Sequence, residues 1–391
     1  MGKQKDEEVV EKITYAKSIK CKKNTMRSVK DYPTLMQAWD TTRKRHGSKV
    51  ALNYQEGSVW KTLTWQSYYK NIILCAKAFI ALGLEQGNSV NIIGFNNVQW
   101  FISDYAAIFA GGVSCGIYTS NSPEQCQYVA GDSNANIVIV ENSLQLEKYL
   151  KVKHNLPEVR AIVVMNNTIE CDIAKILKDS ASSSASSSSS NKDDEPEASA
   201  VDGDSEKPKE EESISISKDK KTLVWTWDEM MALADGVPDK TLKDRMNAQK
   251  NTDLCTLIYT SGTTGNPKGV MLSHYNISFT VVATVNTFQV SYQDRVISYL
   301  PLSHIAEQVV SLHLSLFSGC QVYFTSPAAL KGELLTYLTH AKPTLFIGVP
   351  RVWEKIQEKM MAKGEANSGL KKLIVKAAKS VGLKGGYAQQ N

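Results

Sequence analysis

From Tyr32 to Met165 the chain alternates short apolar runs with amphipathic stretches, and this alternation restricts the available folds more than any other feature. Leu35, Ala38, Trp39 and Thr42 recur at helical spacing, residues 50–54 and 59–65 read as strands, and residues 68–82 read as an amphipathic helix closed by Gly83. Residues 90–94 form a short buried strand, 98–109 a helix, 112–118 an extended run and 123–132 a helix, with strands at 137–140 and 161–165. Strands separated by helices of about ten residues argue parallel βαβ units. The expected fold class is therefore α/β, with open, doubly wound, mostly parallel sheets flanked by helices.

Residues 179–217 break the pattern with a serine run followed by an acidic stretch almost free of aromatics. Such a composition buries too little apolar area to offset chain ordering, so a disordered surface insertion is expected. The pattern resumes with a strand at 222–227 and a helix at 228–234. Asn276 is a candidate N-cap for a helix to about residue 289, strands follow at 296–300 and 322–324 around a helix at 305–317, and the last strand is at 344–349. Leu370, Leu373, Ile374, Ala377 and Val381 share one face of a final amphipathic stretch with lysines opposite, which suits either a core or an acidic membrane surface. The expected domains are a polar, basic lead-in (1–30) and one domain (31–391) interrupted by the insertion.

The chemistry concentrates after the apolar run Leu254-Cys-Thr-Leu-Ile-Tyr259, where Thr260-Ser261-Gly262-Thr263-Thr264-Gly265-Asn266-Pro267-Lys268-Gly269 follows without a break. Gly262, Gly265 and Gly269 allow positive φ and close approach of backbone N–H groups to phosphate oxygens; four hydroxyls add donors, and Lys268 adds a positive charge after the Asn266-Pro267 turn. The spacing is not that of a Walker A loop, because Lys268 is followed by Gly269 and Val270. An ordinary Ser/Thr/Gly turn is the bland alternative.

The segment from Tyr259 to His274 resembles the signature of the adenylate-forming enzymes, which include acyl-CoA synthetases, firefly luciferase and peptide-synthetase adenylation domains. Ser298-Tyr-Leu-Pro-Leu-Ser-His-Ile-Ala-Glu-Gln308 and Gly348-Val-Pro-Arg-Val-Trp-Glu-Lys-Ile356 are similar to later landmarks of the long-chain acyl-CoA synthetases, and Gly116 to Tyr128 is similar to their bubblegum-type subfamily. The resemblance implies ATP-dependent activation of a long-chain fatty acid to acyl-AMP with release of pyrophosphate, then transfer to CoA. It implies that Thr260, Ser261, Gly262, Thr263, Thr264, Gly265, Asn266, Pro267 and Lys268 hold the β- and γ-phosphates, with Thr264 toward Mg2+. It implies that His304 borders the acyl carboxylate and the α-phosphate, with Glu307 on the same helix face as a further catalytic candidate.

A polar pair at a helix N-terminus is the structural alternative for His304 and Glu307; Arg351 reads either as part of an anion site or as an ion pair with Glu354 or Glu358. Trp353 reads most simply as core. The family's later Tyr-Gly-x-Thr-Glu-type and Thr-Gly-Asp segments, hinge and C-terminal domain find no counterpart after Val349, and Ala130-Gly-Asp132 lies on the wrong side of the loop to replace the second. The chain reads as a truncated form carrying the triphosphate loop and part of the acyl framework. A non-catalytic nucleotide- or lipid-binding module is the alternative function.

Composition agrees with an intracellular enzyme of this kind. Seven cysteines without a C-x-x-C pair and six scattered histidines suggest no disulfide framework and no zinc site, as suits a reducing cytosol. Residues 191–213 carry a net charge of −7, so the remainder of this chain of net +5 carries +12. A basic body suits anionic ligands such as ATP and CoA, or an anionic lipid surface contacted peripherally; no nucleic-acid motif accompanies it. The expected location is the cytoplasm, with or without peripheral contact to internal membranes.

Overall fold

The computed structural model describes residues 28–187, 223–260 and 266–365, together with 374, 377–378 and 380–385. The chain divides into two compact units, one spanning Ser28–Thr344 and the other containing Leu345–Asn391.

In the first unit, Leu35–His46 (α1) leads into the hairpin Val50–Glu56 (β1) and Val59–Thr64 (β2), then Trp65–Ala81 (α2). Alternation follows through Ser89–Ile93 (β3), Val98–Phe109 (α3), Val113–Ile117 (β4), Pro123–Asp132 (α4), Ala135–Val140 (β5), Ser143–Val152 (α5), Ala161–Val164 (β6) and Ile173–Ser187 (α6). Val224–Thr226 (β7), Trp227–Ala232 (α7), Asp239–Ala248 (α8), Leu254–Thr260 (β8), Lys268–Ser273 (β9) and His274–Phe288 (α9) complete one sheet and its cover. The remainder is Arg295–Ser298 (β10), Ile305–Glu307 (α10), a π-helical segment Gln308–His313, Leu314–Ser318 (α11), Gln321–Phe324 (β11) and Leu334–Ala341 (α12).

Among the described residues, seven strands pair in the order β7-β6-β5-β3-β4-β8-β9, all parallel except the β8–β9 hairpin. Four more pair as β10-β11-β1-β2, parallel except β1–β2. Every residue of β3, β4, β5 and β6 is buried, as strands covered on both faces must be. The α/β, mostly parallel architecture is the expected one.

The helices are fastened by aromatics. Trp39 on α1 meets Trp65 and Tyr68 on α2 at 5.4 and 4.8 Å between ring centroids, and Tyr105 on α3 at 5.2 Å, all edge-on. Such pairs add about 0.5–1.5 kcal/mol each beyond the area they bury.

Several boundaries move for local reasons. The strand expected at 59–65 ends at Thr64, whose hydroxyl accepts from Ser67 N at 3.1 Å and caps α2, so Trp65 opens the helix instead. A capping box formed by Thr226 and Glu229 likewise makes Trp227 the first residue of α7. Ser273, not Asn276, caps α9: its hydroxyl accepts from Asn276 N at 3.2 Å while Asn276 Oδ1 accepts from Ser273 N at 2.9 Å. The helix expected at 305–317 is divided by its π segment. Helix α6 continues to Ser187, eating into the stretch expected to be disordered; residues 188–217 of that expectation, and the lead-in up to residue 27, lie outside the described residues. No strand forms at 344–349; Thr344 N donates to Arg295 O at 2.9 Å.

In the second unit, Pro350–Glu365 (α13) carries Arg351, which pairs with Glu354 at 2.9 Å and Glu358 at 3.8 Å. Trp353 is 50% exposed rather than core; its Nε1 donates to Gly348 O and its ring meets Phe346 edge-on. Ile374, Ala377 and Val381 are exposed and cover no core, while Leu370 and Leu373 lie outside the described residues.

Candidate functional site

The proposed phosphate loop closes the β8–β9 hairpin. Thr260 and Lys268 form its last residue pair, both exposed, at the carboxyl end of a strand that runs parallel to β4. Lys268 is thus the first residue of a strand, where a loop position was expected, and Asn266 and Pro267 lead into it. Ser261, Gly262, Thr263, Thr264 and Gly265 lie outside the described residues. Gly269 has no positive φ; it is needed because a Cβ there would lie 3.1 Å from Tyr259 Cζ. The Tyr259 hydroxyl donates to Asp132 Oδ2 at 2.6 Å, fixing the end of β8 to the end of α4. Burial, then this bond, raise its pKa.

His274, the last residue of the signature, is fully buried. Its Nδ1 accepts from Leu35 N at 3.3 Å and its Nε2 meets Gln249 Oε1 at 3.1 Å, so it fixes the start of α9 to α1. Burial pushes its pKa down to about 4, keeping the ring neutral.

The second motif separates the two residues expected to share a face. His304 is exposed and is the N-cap of α10, with extended backbone (ψ 132°) and its Nδ1 accepting from Ala306 N at 3.1 Å. Glu307 is 1% exposed and points the other way. Its Oε1 accepts from Ser298 Oγ at 2.9 Å, Tyr299 N at 3.2 Å, Ser311 Oγ at 2.7 Å and Asn96 Nδ2 at 3.4 Å. Burial pushes the carboxyl up to about 7, against the hydrogen bonds from Ser311 and Ser298. The spacing of three from His304 hid these partners, and Asn96 carried no signal beyond following a buried strand. Glu307 meets His304 through the backbone, its N–H donating to His304 O at 3.1 Å, while its carboxyl and Asn96 bind the turn that presents the imidazole.

A cavity of about 420 Å³ opens where the carboxyl ends of both sheets meet, lined among others by Tyr54 and Glu56 at the end of β1, Asn96 and Asn97 after β3, Glu141 after β5 and Thr325 after β11. The chain order reverses at β3, between β4 and β5, and crevices at such switch points are the usual ligand sites of open α/β sheets. No group of three or more His, Cys, Asp or Glu side chains able to hold a metal ion occurs among the described residues. No helix among them is long and apolar enough to cross a membrane.

Residues 39–383 match the family of AMP-binding enzymes. The chain belongs to this family. Among curated relatives it is similar to the long-chain-fatty-acid–CoA ligase ACSBG2 of Xenopus laevis, 40% identical over 92% of this chain and 42% of the relative. It is similar also to ACSBG1 of Bos taurus, a ligase of the same description, 37% identical over 84% and 39%. The chain therefore spans about two-fifths of the length of these relatives. Among solved structures, the family's fold recurs in the anthranilate CoA ligase AuaEII with anthranoyl-AMP (18% identity, TM-score 0.56, 81% of this chain and 50% of that one). It recurs also in the A-PCP didomain of a carboxylic acid reductase from Segniliparus rugosus with AMP (19%, TM-score 0.61, 90% and 47%).

Proposed function

We propose that this chain carries the nucleotide- and acyl-binding part of an ATP-dependent long-chain fatty-acid–CoA ligase. The observation that carries the reading is the hydroxyl- and glycine-rich loop set between paired Thr260 and Lys268 at the carboxyl end of a parallel strand, in a chain of the AMP-binding family whose curated relatives bear that ligase name. A fatty-acid carboxylate would attack the α-phosphate of ATP, releasing pyrophosphate, and the acyl-AMP would pass to the thiol of CoA. The carboxylate is a weak nucleophile and charge at phosphorus is high, so the protein's part is to orient the reactants and spread negative charge.

In this reading the backbone and hydroxyls from Thr260 to Lys268 hold the β- and γ-phosphates, Lys268 neutralises charge there, and the Thr264 hydroxyl faces the Mg2+ that would accompany ATP. His304 stands at the acyl carboxylate: with Nδ1 committed to the turn, Nε2 is the nitrogen left for a ligand. The cysteine usage and basic body support a cytoplasmic setting with peripheral contact to anionic membranes.

The test is palmitate-dependent exchange of labelled pyrophosphate into ATP. Lys268→Ala should lower kcat/KM for ATP about tenfold or more, since a hydrogen bond to a charged group contributes roughly 1.5–3 kcal/mol, while palmitate binding changes little. Unaltered ATP kinetics in this variant would remove Lys268 from the phosphate site, and absence of any carboxylate-dependent exchange in the unsubstituted protein would count against the ligase reading.

A further inference from the structure

The turn between β10 and α10, which ends at His304, has its backbone satisfied by three side chains from outside it. Tyr299 N donates to Glu307 Oε1 at 3.2 Å, Leu300 O accepts from Asn96 Nδ2 at 2.8 Å, and Leu302 O accepts from Gln308 Nε2 at 2.7 Å. Glu307 and Gln308 are at most 1% exposed, and Asn96 is 3% exposed. Buried backbone groups must be paired, so these three side chains decide which conformation the turn can hold.

They are also joined to one another. Asn96 Nδ2 donates to Ser298 Oγ at 2.8 Å, Ser298 Oγ donates to Glu307 Oε1 at 2.9 Å, and Asn96 Nδ2 reaches Glu307 Oε1 at 3.4 Å, closing a triangle. Asn96 belongs to the loop after β3 and Ser298 ends β10, so the triangle links the two sheets at their carboxyl ends. Ser311 donates to the same oxygen from the π segment, a local widening of the helix of the kind often found at functional sites.

We propose that Glu307 and Asn96 are positioning residues: together they fix the turn 299–304, and through it His304, while the Glu307 carboxyl never meets substrate. This rests on the ligase reading for its catalytic consequence. All four donors converge on Oε1, and Oε2 has no partner among the described residues. A group buried behind the turn and saturated on one oxygen acts as an acceptor, a part that a neutral amide oxygen can also play.

That geometry separates positioning from chemistry by one conservative substitution. Glu307→Gln presents an amide oxygen where Oε1 stands and puts its NH2 where Oε2 makes no bond. Glu307→Ala and Asn96→Ala remove the acceptor and the donor. Amide exchange over residues 299–304 should accelerate about tenfold or more in both alanine variants, the equivalent of one lost hydrogen bond, and stay within about threefold of the unsubstituted rate in Glu307→Gln. Palmitate-dependent pyrophosphate exchange should follow the same order, with kcat falling at unchanged KM for ATP in the alanine variants and most of the rate retained in Glu307→Gln. Loss of turnover in Glu307→Gln with amide protection intact would overturn the proposal and give the carboxyl a direct chemical role; unaltered protection in Asn96→Ala would overturn the clamp. If Glu307→Ala fails to fold, the comparison of Glu307→Gln with Asn96→Ala still decides. Should the unsubstituted protein lack carboxylate-dependent exchange, the ligase reading fails while the amide-exchange arm still tests the clamp.

Discussion

Gly269→Ala is a small change with a calculable effect on the hairpin that holds the proposed phosphate loop. The new Cβ would stand 3.1 Å from Cζ, 3.3 Å from Oη and 3.4 Å from Cε1 of Tyr259. Optimal contacts lie at about 3.5–4.0 Å, so the ring must withdraw by a few tenths of an ångström. It has little freedom to do so, being 6% exposed in a core cluster with Cys115, Ile117 and Val129 and held by its 2.6 Å bond to Asp132. Overpacking of this kind costs about 1–3 kcal/mol, and the lower unfolded-state entropy of alanine offsets about 0.5–1, so a net loss of about 1 kcal/mol is expected. Tyr259→Phe removes the hydrogen bond to exposed Asp132 and should cost about 1–1.5 kcal/mol. Once the hydroxyl is gone the ring can yield, and the double variant should cost about 0.5–1 kcal/mol less than the two singles combined. Urea unfolding of the four proteins, followed by tryptophan fluorescence, measures the cycle. A neutral or stabilising Gly269→Ala, or strict additivity, would refute the reasoning.

Three other outcomes are expected. Asp104, fully buried and accepting from Ser114 Oγ, is raised by burial from 3.8 to about 7, so its favourable contribution is complete below pH 4 and lost as pH rises to 7; Asp104→Asn should flatten a decline of up to about 4 kcal/mol over that window in urea unfolding. His313, whose Nδ1 meets Tyr105 Oη at 3.1 Å, is pushed by burial from 6.5 down to about 3, so its contribution is present above pH 6.5 and lost as pH falls; His313→Gln should lose less stability between pH 6.5 and 4 than the unsubstituted chain. Arg351→Ala should leave both the melting temperature and pyrophosphate exchange unaltered, because its partners are exposed glutamates on its own helix; a loss of exchange would return Arg351 to the anion site.

The parallel sheet was legible because its strands are buried on both faces and read as unbroken apolar runs between helices. What escaped was weakly patterned. Helix α8 buries Leu242 alone, so it shows no apolar stripe, and β9 exposes Val270 and Met271, so it shows no inner face. The strand expected at 344–349 is apolar enough to propose, but strands are made by partners: Pro343 precedes it, Pro350 follows, and no strand ladder forms over it.

The site was legible to the depth of its motifs and no further. Spacing three apart placed His304 and Glu307 on one face on the assumption that both are helical, yet an N-cap residue has non-helical backbone and its side chain bends to the helix's own N–H groups. The assumption failed by one residue, and the two side chains separate into an exposed imidazole and a buried carboxyl. Glu307 then finds Asn96, which is 211 positions away in sequence and lies in the loop after β3, a pairing that no local pattern can encode. Its nearer partners, Ser298 and Ser311, become partners only because β10 ends where it does and the following helix widens into a π turn. The motif from Ser298 to Gln308 thus combines two demands: one exposed residue that can meet a ligand, and buried polar residues that hold the backbone presenting it. Sequence displays both as one run of eleven letters; only the burial of each side chain, and the direction of its hydrogen bonds, tells them apart.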